Sequence, residues 1–314
     1  MAGIVVGLSP RRPRGAVARG DAASGRAPRG ERDFPAGSVC LVGAGPGDPG
    51  LLTLRAAARL NAADVVYHDA LVGEGVLALC RPGARLVPVG KRRGAPSWSQ
   101  EAIEAALVCE ARAGWRVVRL KGGDPLVFGR GGEEALTLMR AGVTCEIVPG
   151  LTSGTAVPAA AGIPLTHRGL SSSAAFVTAH DLESGRSGAA ARRRIGALAR
   201  AADTLVLFMG GAHLDRLRQV LLAAGLAPST PAAIIENGTR PEQRVRRGAL
   251  SHLAALGKGH GAGPLLVVVG RTVALAAALE RLTSASDATP VTADAPGADA
   301  ADATPDAAET EVGR

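Results

Sequence analysis

Four charged residues stand where chemistry would need them, next to short apolar runs: Asp48, Asp69, Lys91 and Arg130. Asp69 follows the apolar run at 64–67, so it reads either as an exposed loop acid or as a general base at a strand end. Lys91 is one of three lysines, with Lys121 and Lys258, among 36 basic residues. Arginine serves almost everywhere else, so Lys91 marks a place suited to a compact, titratable ammonium, the bland alternative being a solvated loop charge. Three glycine loops accompany these residues: GAGPGDPG at 43–50, KGGDP at 121–125 and FGRGGEE at 128–134. The first lies where a dinucleotide fingerprint would, but Asp48 stands in place of the third glycine, and Pro46 and Pro49 offer no amide to a pyrophosphate. No GK[ST] follows, so it is not a Walker loop either. Asp48 reads on structure alone as a helix N-cap. Asp124 is suited to accept from ribose hydroxyls or an ammonium, and glycine loops at successive strand ends favour an adenosine-type ligand.

The elements that must position these loops follow from periodicity. Apolar runs at 39–43, 64–67, 85–89, 116–120 and 144–148 alternate with helical patterns at 51–63, 100–113 and 133–141, which predicts one α/β half. A turn at Pro149-Gly150 and a stretch of small residues to Ala161 separate it from a second half. Runs there at 174–178, 204–209, 232–236, 244–250 and 265–269, with helical patterns near 190–201, 213–224 and 271–282, include adjacent strands and so predict a mixed sheet. Asn237-Gly238 signals a turn between two of those strands. The expected division is a basic leader at 1–37, an N-terminal α/β domain at 38–150, a C-terminal α/β domain at 151–282 and an acidic tail at 283–314. Neither end segment carries enough apolar residues to order itself.

Composition narrows the function classes. The 314 residues suit about two domains. Seven aromatic residues are too few for base-stacking platforms, which argues against a single-strand nucleic-acid binder despite the net charge of +8. The leader holds +4 and the tail −6 of that total, leaving +10 on residues 38–282, a field that favours an anionic ligand. No apolar run reaches the roughly 18–20 residues of a membrane span, and nothing resembles a signal-peptide core. A cytoplasmic protein is expected. Cys40, Cys80, Cys109 and Cys145 form no CxxC pair and the six histidines no HExxH, so buried free thiols and no metal site are expected.

Several motifs together carry a specific resemblance: VGAGPGDPGLLTL at 42–54, VGKR at 89–92, VVRLKGGDPLVFGRGGEE at 117–134, VPGLTS at 148–153, AGIPLTHR at 161–168 and ENGT at 236–239. Over residues 38–282 the chain resembles the uroporphyrinogen-III C-methyltransferases, within the tetrapyrrole (corrin/porphyrin) methyltransferase group. The resemblance implies two α/β domains with S-adenosylmethionine in the cleft between them, a homodimer, and methylation of uroporphyrinogen III at C2 and C7 to precorrin-2, for sirohaem or cobalamin. It matches cofactor positions to Pro46, Gly122, Gly123, Asp124, Val127, Thr152, Ser153, Met209 and Gly238. It matches a proton acceptor to Asp69, a proton donor to Lys91, and catalytic or substrate-handling positions to Asp48 and Arg130. Arg168, with Arg130 and Lys91, is expected to meet substrate carboxylates.

Ala70 departs from the arginine common in relatives, and residues 99–102 from a PQEE-like run, which weakens the expected substrate grip on that side. The 37-residue leader is too short to supply the dehydrogenase–chelatase domain of fused sirohaem synthases. Two alternatives remain: a methylase of the same fold acting on a later precorrin, and a basic RNA-binding or RNA-modifying protein. No RNA-binding module supports the second.

Overall fold

The computed structural model describes residues 34–90, 98–180, 182 and 185–279. Lys91, nearly all of the basic leader and the whole acidic tail lie outside them. Two five-stranded sheets make up an α/β architecture. The first uses β1 (Val39–Gly43), β2 (Val65–His68), β3 (Arg85–Pro88), β4 (Val117–Lys121) and β5 (Cys145–Val148), in the order β3-β2-β4-β1-β5. Every pairing is parallel. β1 and β4 are buried at every position, as central parallel strands covered on both faces must be.

One face packs against α3 (Gln100–Arg112) and α4 (Gly131–Arg140), through Val39, Leu41, Val65, Tyr67 and Val117 against Ile103, Leu107 and Leu138. Two further helices complete this half: α1 (Leu54–Ala62), which buries Leu60, and the single-turn α2 (Glu74–Leu77). α1 starts three residues later than the pattern suggests. Pro49–Leu51 forms a separate 3₁₀ turn whose N-cap is Asp48, while Thr53 caps α1 by accepting from the Ala56 amide at 3.2 Å. The Gly37 amide donates to the Trp115 carbonyl at 3.2 Å.

The second sheet contains β6 (Ala174–Thr178), β7 (Thr204–Phe208), β8 (Pro231–Glu236), β9 (Arg244–Ala249) and β10 (Leu265–Gly270), in the order β6-β7-β10-β8-β9. Only β6–β7 is parallel, so the sheet is mixed. Period-two alternation splits its side chains. Leu205, Leu207, Ile234 and Val267 join Ile195, Leu217 and Leu221, contributed by α6 (Gly185–Ala201) and α7 (Leu214–Ala223). Val206, Ile235, Leu266 and Val268 pack instead with Val157 of α5 (Ser153–Ala160).

Sequence periodicity leaves α5 as an undivided stretch of small residues. SGTAVPAA lacks large apolar side chains and carries Pro158, yet Thr152 caps it and its Gly154 fits under Phe208 and Phe176. The short helix α8 (Leu253–Leu256) is likewise unmarked in the pattern. The stretch read as a helix from 271 opens as a 3₁₀ turn, Arg271–Leu275. Asn237-Gly238 opens the turn that joins β8 to β9, a connection of residues 237–243. All four cysteines are free, but only Cys40 is buried, and Cys109 is exposed. Among the described residues no helix is long and apolar enough to cross a membrane.

Candidate functional site

A cleft of about 980 Å³ opens at the carboxyl ends of the first sheet and is closed by the second half. Parallel sheets collect ligands at those ends because the loops there converge. Convergence is tight: a Cβ on Gly43 would lie 2.5 Å from the Gly150 backbone and 2.7 Å from the Gly123 carbonyl oxygen. Only glycine lets the chain ends after β1, β4 and β5 meet backbone to backbone. The Gly45 and Gly123 amides and carbonyls then exchange two hydrogen bonds, at 3.2 and 2.8 Å.

Pro46, Met209 and Gly238, from three separate loops, and Ser153, at the start of α5, line the cleft together with Leu71. Its apolar wall comes from Phe208, Ile235, Leu265 and Leu266, and its far rim from residues 260–264. That rim is tied down, for the Gly261 amide donates to Glu236 Oε1 at 2.5 Å. Five non-glycine residues among those described have positive φ: Phe128, Arg130, Met209, Asn237 and Thr239. Each lies in a loop that carries a sequence motif or in the residue after β7. Left-handed backbone costs such residues about 1 kcal/mol or more each, and packing holds it where a site is shaped.

The other described positions singled out from the sequence are not among the residues that line this cleft, and they serve different roles. Gly122 is half-buried past the end of β4, and Val127 donates its amide to the Asp124 carbonyl at 3.3 Å. Asp124 fixes its own loop: Oδ1 accepts from the Leu126 amide at 2.8 Å and Oδ2 from the Gly150 amide at 3.1 Å. Thr152 caps α5 by accepting from the Gly154 amide at 3.3 Å. Asp48 accepts from the Gly50 amide at 2.7 Å, and its own amide donates to Thr239 Oγ1 at 3.3 Å, linking the first loop to the second half. Arg240 Nη2 makes a similar link, donating to the Leu71 carbonyl at 2.6 Å. Arg130 caps α4 and pairs with Glu133 at 2.5 Å, both side chains being exposed, and Glu133 holds its guanidinium above the usual arginine range. Arg168 is exposed in the turn between α5 and β6. Lys91 lies outside the described residues. Among the described residues no group of His, Cys, Asp or Glu is arranged to hold a metal.

Asp69 sits two residues before Leu71, just past the end of β2, with its amide donating to the Leu120 carbonyl at 3.1 Å. Its carboxylate is paired through Oδ1 with Arg119 Nη2 of β4. Behind that pair lies a chain of charges that residue-by-residue reading misses. Arg119 Nε donates to Glu134 Oε1 at 3.1 Å. Lys121 Nζ lies 3.0 Å from each Glu134 oxygen, with hydrogen-bond geometry to Oε1 and charge contact to Oε2. Gln100 Nε2 also reaches Glu134 Oε1 at 3.0 Å. The side chains of Arg119, Lys121 and Glu134 are 4%, 3% and 0% exposed, against 29% for Asp69. Burial, then the neighbouring Arg119, holds the Lys121 ammonium below the ordinary lysine range against the pull of Glu134.

The sequence profile described as tetrapyrrole (corrin/porphyrin) methylases matches residues 38–254. The chain belongs to this family. Within it, the chain is 49% identical over 247 residues to the uroporphyrinogen-III C-methyltransferase of Sinorhizobium sp, covering 78% of this chain and 86% of that one. It is 47% identical over 265 residues to siroheme synthase 3 of Aeromonas hydrophila subsp. hydrophila, covering 83% of this chain and 55% of that protein. The chain thus spans about half the length of the siroheme synthases it matches. Among solved tetrapyrrole methylases, the uroporphyrin-III C-methyltransferase of Thermus thermophilus complexed with S-adenyl homocysteine superposes with a TM-score of 0.64 at 43% identity, over 76% of this chain and 99% of that one.

Proposed function

We propose that this chain is an S-adenosylmethionine-dependent methyltransferase that methylates uroporphyrinogen III at C2 and then C7 to give precorrin-2, for sirohaem or cobalamin synthesis. One observation carries the reading: Pro46, Ser153, Met209 and Gly238, far apart in sequence and each matched to a cofactor position, line one cleft. The residues present suit the cofactor. Phe208, Ile235 and Leu266 offer an apolar wall to an adenine ring, and the glycine-rich strand ends let backbone approach a ribose and an amino-acid tail.

When bound, S-adenosylmethionine supplies an electrophilic methyl on sulfonium sulfur, which needs no acid to depart. The protein's task is therefore to align an electron-rich pyrrole carbon and exclude water. Methylation leaves a pyrrolic cation, and Asp69 accepts the proton that relieves it, directly or through water. Lys91 serves as the proton donor, and Asp48 orders the first loop. Arg130, Arg168 and Lys91 meet acetate and propionate groups, with Arg130 exchanging Glu133 for substrate carboxylate. The +10 charge of residues 38–282 draws such a polyanion in. Two α/β domains, at 38–150 and 151–282, share the cleft, and the chain works as a homodimer in the cytoplasm without a metal.

Incubating the purified chain with S-adenosylmethionine and enzymatically generated uroporphyrinogen III should yield a product heavier by two CH2 units, since each methyl gained is balanced by a proton lost. An unchanged substrate mass, with methyl transfer only to a later precorrin, would move the assignment to another methylase of this fold.

A further inference from the structure

We propose that Arg119 is a positioning residue for Asp69, held in place by Glu134 and Lys121. The inference rests on reading Asp69 as the proton acceptor, and it adds residues to which no role in the reaction has been attached. Asp69 hangs from the end of β2, and among the described residues the carboxylate's hydrogen-bond partner is Arg119 rather than a residue of its own loop. Arg119 holds it from the neighbouring strand: its Nη2 pairs with Asp69 Oδ1, while Nε donates to Glu134 and Nη1 donates to the Leu120 carbonyl at 3.1 Å and more weakly to that of Tyr67 at 3.4 Å. The guanidinium therefore has no freedom to follow Asp69; Asp69 must follow it.

A buried arginine needs acid on both sides. Glu134 from α4 supplies the inner one, and Lys121 and Gln100 hold Glu134. Two acids and two bases balance one another, so the group adds no net buried charge. Among the described residues, other titratable groups near it include His68, whose Nδ1 lies 3.3 Å from the Asp69 carbonyl oxygen, and Glu104, linked through Gln100 at 3.3 Å.

The test uses the full chain with S-adenosylmethionine and uroporphyrinogen III. Arg119→Met should lower kcat about 100-fold, within the range a positioned base contributes, while KM for S-adenosylmethionine and calorimetric affinity for S-adenosylhomocysteine stay within about twofold. Arg119→Lys should recover part of the loss, to about tenfold below the parent, since one ammonium cannot span all of these partners. The deciding readout is the double variant. If Arg119 acts through Asp69, Asp69→Asn/Arg119→Met turns over no more slowly than Asp69→Asn alone. Multiplying losses, or parent turnover in Arg119→Met, would overturn the inference. If Arg119→Met does not bind S-adenosylhomocysteine, Arg119→Lys decides: parent kcat there, or a loss that persists on top of Asp69→Asn, overturns it. Parent turnover in Asp69→Asn would sink the base assignment itself, whereas an impaired Asp69→Asn beside a silent Arg119 variant sinks only the positioning role.

Discussion

The two halves bury polar groups in opposite ways. In the first, the buried polar side chains among those described include the ionisable Arg59, Asp64, His68, Arg119, Lys121 and Glu134. In the second they are mainly hydroxyls, Ser171, Thr204 and Thr272, bonded to one another at 3.0 and 3.3 Å, with Glu236 the one ionisable member. A hydroxyl chain satisfies itself with neutral donors and acceptors, but a buried charge demands an opposite charge at a fixed distance. The first half therefore holds side-chain direction rigidly at the place proposed for proton transfer. The second offers a largely uncharged wall, suited to gripping an apolar ring without choosing its protonation state.

The contrast predicts unequal costs for removing a buried polar group. Glu134→Leu leaves Arg119 and Lys121 facing each other and should destabilise the chain by about 3–5 kcal/mol, the usual cost of orphaning a buried charge. Thr272→Val, read by the same urea unfolding, should cost only about 1 kcal/mol. Equal losses would erase the distinction between the halves. A smaller effect tests the wall: Met209→Ala should weaken S-adenosylmethionine binding by about 1–3 kcal/mol in calorimetry. Turnover at saturating cofactor should be nearly spared, and a matching fall in kcat would assign chemistry to the second half after all.

The smallest effect lies within the first half and concerns thiols. Burial, helped by the Glu134 and Glu146 carboxylates, pushes Cys145 up to about 11, and Cys40 is raised further by burial and by Glu146. A raised acid stays protonated when folded, so between about pH 9 and 11 the native thiol resists alkylation that the unfolded chain accepts. At pH 8, iodoacetamide should label exposed Cys109 first, as peptide mass mapping would reveal. Early labelling of Cys145 would mean that this edge of the first sheet opens.

Much of the site was legible before any folding because its loops are built from residues with few substitutes. Glycines at 43, 123 and 150 and the GPGDP and KGGDP motifs mark close backbone approach wherever they fall, and the apolar runs before them mark strand ends. Arg119 and Lys121 were half-legible. Two cations two residues apart in VVRLK must share one face of a strand, and a strand apolar on both sides of them must bury that face. Helix α5 was not legible, since its small side chains show no period until Phe176 and Phe208 cover Gly154.

Local residue chemistry alone thus determined the strands, the glycine loops between them and the residue types available to a ligand, because backbone conformation and apolar period are short-range properties. Tertiary structure alone decided which loops share a cleft and which charges pair. Glu134 neutralises Arg119 from fifteen residues away, and Arg240 bonds the Leu71 carbonyl from 169 residues away, because strand order β3-β2-β4-β1-β5 and the packing of α4 bring together groups that no sequence spacing links.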